Sequence, residues 1–375
     1  MLTFRHQFTA ASGLVQIGTT QLTAREVEDA GLWEILQSPG PAVGPWGLFD
    51  QLLDSSTTEF RFREPLGQAR EVKTALSGLF GRFVARAYAT RHLGLTHFAH
   101  IRSPPMRLSG PLRGELRRTL GRRGDLPDWV SWGALRGAAI IEAKGCHDRS
   151  GPRQTLRRAF AQAERAEIWA GRGLAPFKRY AIATRWGFSA PLDWVPMLWV
   201  QDPDENGGEV STEELREAQA GIIRLHYANL LDRLGHIELA AALRDLVSTR
   251  FRNRRAAAMS RAITAFDALP AREVSGGRFP TPQDELVGGF VTRGGVLPDA
   301  SITRADQEAL SRLKLRPAFV GVERAVLKLA LLGDIDRLEN HKAIAALRVG
   351  EEDVPRDNGT GGWIVRLDEG EAFVK

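Results

Sequence analysis

Cysteine is nearly absent from this chain: there is one among 375 residues. A single thiol excludes a disulfide framework and any zinc site that needs two or more thiolates. Lysine is scarce as well. Only seven of the 51 basic residues are lysine (Lys73, Lys144, Lys178, Lys314, Lys328, Lys342 and Lys375), so arginine carries the positive charge. Such a bias looks like that of a GC-rich genome and by itself is no sign of nucleic-acid binding. No apolar run approaches the roughly 20 residues needed to cross a bilayer. The opening MLTFRHQF lacks the charged-then-apolar order of a signal peptide, and a soluble, cytoplasmic protein is expected. P-loop, GxSxG and HExxH patterns are missing, which argues against an ATPase motor, a serine hydrolase or a zincin. There is no internal repeat and no low-complexity tract.

What is present is an ordinary globular composition, 43% hydrophobic and 26% charged. The length suits two or three domains, each able to bury a core. The formal net charge of +6 is unevenly spread. Residues 100–190 hold 18 Arg and Lys against 7 Asp and Glu, which leaves the remainder of the chain net acidic. A polyanionic partner for that stretch is the first inference, with a solvated basic face as the alternative.

Residues 1–60 are short mixed segments of weak periodicity, broken by Gly and Pro. From Ala69 to His92, the residues Leu76, Leu79, Phe80, Phe83, Val84 and Ala87 follow a 3.6-residue period, and Gly94 supplies a stop, which predicts a helix. LTHFAHI (95–101) reads as a strand and 102–123 as an arginine-rich connection. LPDWVSW (126–132) and GAAIIEAKG (137–145) read as extended, 153–170 as a helix, and RYAIATRWG (179–187) as another strand. That order describes an α/β unit of mixed sheet flanked by helices. An acidic stretch at 201–217 follows, where Ser211 and Glu214 have capping-box spacing. From there to about Ala268 the chain reads as helical, giving the expectation of a mainly helical C-terminal domain. One more helix (Val322–Leu332) and a terminal strand pair (362–374) complete the chain. The expected division is therefore 1–60 mixed, 61–205 catalytic, 206–270 helical, and 271–375 without an assigned role.

The stretch that carries chemistry is LPDWVSWGALRGAAIIEAKG. It places Asp128, Glu142 and Lys144 on neighbouring extended segments. Residues two apart on a strand leave the same face, so Glu142 and Lys144 project together. Two carboxylates converging there make a hard-oxygen site suited to Mg²⁺ or Mn²⁺. A lysine beside them can hold a water nucleophile and offset charge developing on a phosphorane. Pro127-Asp128-Trp129, followed by Glu142-Ala143-Lys144, resembles the signature of the PD-(D/E)xK nuclease superfamily, the restriction-endonuclease-like enzymes. The resemblance covers residues 65–190, and the family's core of helix, three strands, helix and strand matches the order read above. It implies that Asp128, Glu142 and the backbone carbonyl of Ala143 bind the metal and that Lys144 serves the nucleophile. It also implies a catalytic glutamine on the next helix, for which Gln162 is the expected residue and Gln154 the lesser candidate. An additional acid from the first helix would fall to Glu71, with Asp125 and Glu115 poorer choices. Glu71-Val72-Lys73, the other Glu-x-Lys, lacks a preceding Pro-Asp and reads as a surface pair.

Arg113, Arg117, Arg118, Arg122, Arg123, Arg136, Arg153 and Arg157 are the candidates for phosphate-backbone contacts, which position a nucleic acid without reading its sequence. Arg250, Arg252, Arg254 and Arg255 form a second basic patch that reads as a solvated helix face. His97 and His100, three apart on a strand, face opposite sides and read as core or surface histidines and not as paired ligands. Trp129 and Trp132 read as core, with base stacking the alternative. Cys146-His147-Asp148 reads as a loop near the site, with His147 a minor candidate for substrate contact. The expectation is a Mg²⁺- or Mn²⁺-dependent nuclease acting on nucleic acid, DNA before RNA, with no membrane association. The helical C-terminal half is left for self-association or a protein partner. The alternative is a catalytically inactive nucleic-acid-binding or protein-interaction scaffold of the same fold.

Overall fold

The compact apolar run Gly137–Cys146, interrupted by Glu142 and Lys144, forms an interior strand of a seven-stranded mixed sheet. Ile140 and Ile141 there have no exposed surface. The computed structural model describes residues 1–38, 49, 51–63, 69–134, 137–147, 151–189, 194–202, 207–275, 285–292, 295–297, 303–313, 315, 317–346, 360–367 and 373–374. The chain divides into two compact units, one of residues 1–34, 45–106 and 115–215, the other of residues 35–44, 107–114 and 216–375. Nine helices lie among the described residues, and none of them is long and apolar enough to cross a membrane.

In chain order the first part contains β1 (Leu2–Thr9), β2 (Val15–Leu22), α1 (Ala24–Gln37), β3 (Arg61–Phe62), α2 (Arg70–Leu93), β4 (His97–His100), β5 (Met106–Ser109) and β6 (Gly114–Arg118). It continues with β7 (Trp129–Gly133), β8 (Gly137–Cys146), α3 (Pro152–Ala163), β9 (Ala166–Ala170), β10 (Gly173–Leu174), β11 (Lys178–Arg185), β12 (Gly187–Phe188) and β13 (Met197–Gln201). The sheet order is β2-β1-β13-β11-β8-β7-β4. β8 runs parallel to β11 and antiparallel to β7, and β1 runs parallel to β13. α2 buries Phe80, Phe83, Val84 and Ala87 of the expected stripe, and Gly94 ends it with φ 66°, a left-handed value that glycine adopts without strain. A glycine pair lets α2 approach β8. A Cβ at Gly145 would lie 1.8 Å from the Ser77 carbonyl oxygen, and one at Gly81 would lie 2.6 Å from the Gly145 nitrogen.

Strand alternation then places Glu142 and Lys144 on the face opposite Gly145. α3 covers that face. Its Leu156 and Ala159 pack on Ala181 and Ala183, which pair in register with Glu142 and Lys144.

The second part holds α4 (Thr212–Arg233), α5 (Ile237–Ser248), α6 (Arg252–Asp267), β14 (Val274–Ser275), β15 (Leu286–Thr292), β16 (Gly295–Val296), α7 (Arg304–Arg312), β17 (Ala318–Glu323), α8 (Arg324–Leu332), α9 (Ile335–Ala346), β18 (Gly362–Arg366) and β19 (Phe373–Val374). Ser211 and Glu214 exchange the expected capping-box bonds at the start of α4. Ile223, Tyr227, Leu230 and Leu231 on α4 and Leu239, Leu243, Leu246 and Val247 on α5 are buried, as their spacing predicts.

Several expectations need correction. Helices outweigh strands among the described residues of the C-terminal half, as expected, but β16-β15-β17-β18 add a four-stranded antiparallel sheet that the expectation did not include. Gly288 and Gly289 in β15 and Gly321 in β17 interrupt the alternation that would have announced it. The expected helix Val322–Leu332 begins as strand and becomes helical at Arg324. The helix expected over 153–170 stops at Ala163, since Ala166–Ala170 pairs with β6. The arginine-rich stretch 102–123 contains β5 and β6 and is no simple connection. Residues 1–60 do not stand apart: β1 and β2 extend the central sheet.

Candidate active site

β7 and β8 pair so that Trp129 opposes Ile141, which puts Asp128 one step further on, beside Glu142. Asp128 donates its backbone N–H to Glu142 Oε2 at 3.0 Å, and Ala143 donates its own to Asp128 Oδ2 at 2.9 Å. Lys144 Nζ donates to Glu142 Oε1. Each carboxylate is thus fixed by a main-chain group of the neighbouring strand. The side chain of Glu142 is 1% exposed, that of Asp128 19% and that of Lys144 33%. Glu142 forms the floor, and a ligand would meet Asp128 and Lys144 first.

Burial dominates the electrostatics. It pushes the Asp128 carboxyl above its ordinary range, against the pull of Arg82 and the Ala143 N–H. Glu142 is raised further, by burial first and then by the Asp128 charge, with Lys144 opposing. Two carboxylates that resist ionising side by side are a pair that a cation would satisfy. Among the described residues no three His, Cys, Asp or Glu side chains gather to hold a metal ion. The donor set therefore offers two hard carboxylates and leaves the other positions to the backbone, water or substrate. That fits Mg²⁺, which keeps several waters and commonly takes one or two carboxylates.

Gln162 lies on α3 as expected, but its contact is structural: Nε2 donates to the Leu126 carbonyl at 2.6 Å. Arg165 Nη1 donates to the Asp125 carbonyl at 2.9 Å, and Thr119 donates its N–H to the Arg165 carbonyl at 3.0 Å. The segment leading to Asp128 is strapped to the end of α3.

The helical acid that approaches Asp128 is Glu34 of α1. Glu71 is exposed at the start of α2, Asp125 is exposed, and Glu115 pairs with Arg117. Glu34 is fully buried. It accepts from Trp129 Nε1 at 3.1 Å and lies 3.2 Å from His100 Nε2 and 3.2 Å from Arg86 Nη1. Arg82 Nη1 stands 3.6 Å from Glu34 and 4.0 Å from Asp128, bridging the two acids. Burial raises the Glu34 carboxyl, but His100, Arg82 and Arg86 prevail and bring it down to about 2. Burial pulls the Arg86 guanidinium to about 10, with Glu34 opposing. Sequence reasoning missed this group. Its signal was present in two places: an acid inside the apolar run LWEIL, and arginines at 82 and 86 along an apolar helix face.

His97 and His100 are both buried, and His100 belongs to the Glu34 network. Trp129 and Trp132 are core and have no surface for stacking. His147 Nδ1 lies 3.0 Å from Ser77 Oγ of α2, on the face away from Glu142 and Lys144. Of the candidate phosphate contacts, Arg117 stacks over Trp169 at 4.7 Å, Arg118 donates to the Gly124 carbonyl at 2.7 Å, and Arg122 pairs with Glu164 at 3.1 Å. Arg123, Arg153 and Arg157 are exposed in the first unit and Arg113 in the second. Arg136, with Asp148 and Arg149, lies outside the described residues.

No protein-family model matches the chain, and no curated protein and no solved structure matches it. The site's own chemistry has to speak for its function.

Proposed function

We propose that this chain is a metal-dependent nuclease, built on a PD-(D/E)xK, restriction-endonuclease-like core, that hydrolyses phosphodiester bonds in nucleic acid, DNA in the first place. One observation carries the reading. Asp128, Glu142 and Lys144 come together on two paired strands, with both carboxylates pinned by main-chain N–H groups and the ammonium on Glu142. The order α2, β4, β7, β8, α3, β11 supports the same core, and the arginine excess of residues 100–190 supports a polyanionic substrate.

Asp128, Glu142 and the Ala143 carbonyl would hold the cation. Mg²⁺ or Mn²⁺ supplies, when bound, polarisation of a phosphoryl oxygen and a more acidic water. Lys144 is the most exposed of the three, and its remaining ammonium protons can orient a water and meet charge developing on the phosphoryl oxygens. Arg82 neutralises Asp128 from the other side, and Glu34 fixes Arg82. Gln162 holds the Leu126 carbonyl and so the approach to Asp128, which makes it a positioning residue.

Plasmid and labelled-oligonucleotide cleavage with Mg²⁺ or Mn²⁺, and with chelator, tests this. Wild-type protein is expected to cut only with the cation, and Asp128→Asn and Lys144→Met are each expected to lose roughly 10²-fold or more while remaining folded. Equal cutting by all three proteins would remove the site assignment. No cutting by folded wild-type protein that retains nucleic acid would leave the scaffold reading.

A further inference from the structure

A second surface, in the other unit, gathers positive charge around an exposed ring. The α5–α6 connection passes through Thr249, Arg250 and Phe251, and Phe251 is 64% exposed where α6 begins. The Arg254 guanidinium lies over the Phe251 ring at 5.6 Å, and both Arg250 and Arg254 are exposed. The segment 107–114 joins them from a distant part of the sequence. Arg107 Nη1 donates to the Ser248 carbonyl at 3.1 Å. Gly110 is pressed so closely on the Thr249–Arg250 peptide that a Cβ there would lie 2.1 Å from the Thr249 oxygen. Ser109 and Gly114 then stand against each other and close a turn that presents Arg113, exposed and held at φ 50°.

The carboxylates that this region could offer in return are already taken. Glu217 accepts two bonds from Arg255, at 2.9 and 2.8 Å, and Asp245 pairs with Arg261 at 3.0 Å. Arg255, read from the sequence as part of the basic patch, therefore faces inward. Arg254 lies over the exposed ring with Arg250 next to it in the chain, and Arg107 and Arg113 extend from the 107–114 segment that packs on the same connection. Fixed cations at several points suit a chain of phosphates, and an exposed ring flanked by guanidinium suits an unstacked base.

We infer that this patch is a binding site for single-stranded nucleic acid, with the bases on Phe251 and the phosphates on Arg107, Arg113, Arg250 and Arg254. It deepens the nuclease reading by naming a strand-holding surface, and it rests on that reading only for the biological substrate. A duplex hides its base faces, so the ring contributes only where the strand is open.

The test is fluorescence anisotropy of the full-length protein with a labelled 20-nucleotide oligothymidine in chelator, so that no cleavage occurs, across a salt series. Phe251→Ala is expected to weaken binding roughly 5- to 100-fold, and Phe251→Trp to keep it. Arg250→Ala/Arg254→Ala is expected to weaken binding at least ~10-fold and to lower the salt slope by about 1.4, the share of two single-strand phosphate contacts. Arg304→Ala/Arg312→Ala, at two exposed positions of α7, is the charge-matched control and should bind as wild type. The inference is overturned if the Phe251 and arginine variants bind like wild type, or if wild-type protein ignores the oligonucleotide at low salt. It is overturned too if Phe251→Ala changes nothing, or if the variants lose only phosphatidylserine vesicles. Cutting is scored separately with Mg²⁺. Binding through the patch without any cutting upholds this inference and removes the nuclease reading. Cutting together with undiminished binding by the patch variants does the reverse.

Discussion

Glu34→Gln probes the buried charge group behind Asp128. A carboxyl brought from 4.5 to about 2 has its ionised form favoured in the fold by about 3 kcal/mol, at about 1.4 kcal/mol per decade. Glutamine keeps the shape and can still accept from Trp129, but it leaves Arg86 buried without its counter-charge. Breaking a buried pair from one side costs about 3–5 kcal/mol, and that is the loss expected at neutral pH. Urea unfolding followed by tryptophan fluorescence measures it, and Trp129 lies in direct contact with the altered group. The sign of the pH effect follows from the lowered carboxyl. The stabilisation is complete above pH 4.5 and vanishes as the pH falls through about 2, so the acid limb of the wild type should be steeper than that of the variant. A double variant, Glu34→Gln/Arg86→Met, should cost less than the sum of its parts by about 1–3 kcal/mol. A single-variant loss below about 1 kcal/mol with an unchanged acid limb would refute the argument, since the four partners of Glu34 would then contribute almost nothing. Cleavage should weaken as well, because Arg82 would lose the acid that stands 3.6 Å away.

Asp128→Asn should raise the melting temperature of the metal-free protein at neutral pH by a few degrees, roughly the size of a single stabilising substitution. The folded state holds the raised carboxyl's proton more tightly than the unfolded chain does, so ionisation above the ordinary pKa of 3.8 costs stability that the amide does not lose. A lowered melting temperature, or an Mg²⁺-induced rise equal to that of the wild type, would contradict this. Gln162→Ala should speed hydrogen exchange across 119–128 and lower kcat about 10-fold with little change in global stability; unchanged exchange would show that the bond to Leu126 does not restrain the segment. Gly145→Ala should destabilise by at least about 2 kcal/mol in thermal or urea unfolding, because its Cβ would meet the Ser77 carbonyl, which belongs to a helix backbone and cannot swing aside.

Strand alternation and spacing alone put Glu142 and Lys144 on one face, and Pro127-Asp128 at a distance that lets the next strand return beside them. Those are short-range consequences of a period of two, and no distant residue can alter them. The apolar period of α2 and the stop at Gly94 are local in the same way. Of the C-terminal sheet only the terminal strand β18 was legible, since β15 and β17 carry glycine where an alternating side chain would have marked a face. The end of α3 was not legible either, because 166–170 leaves the helix for β6, a partner some fifty residues earlier. What only the tertiary structure decided is the company these groups keep. Glu34, Arg82, Arg86 and His100 come from three separate elements, and burial makes them one charge network touching Asp128. Gln162 finds a carbonyl partner on a distant segment. Arg107 and Arg113 join Arg250, Phe251 and Arg254 across more than a hundred residues. Sequence sets which face a side chain leaves by, because that depends on the backbone's own repeat; its neighbours on that face depend on long-range packing, which no local pattern encodes.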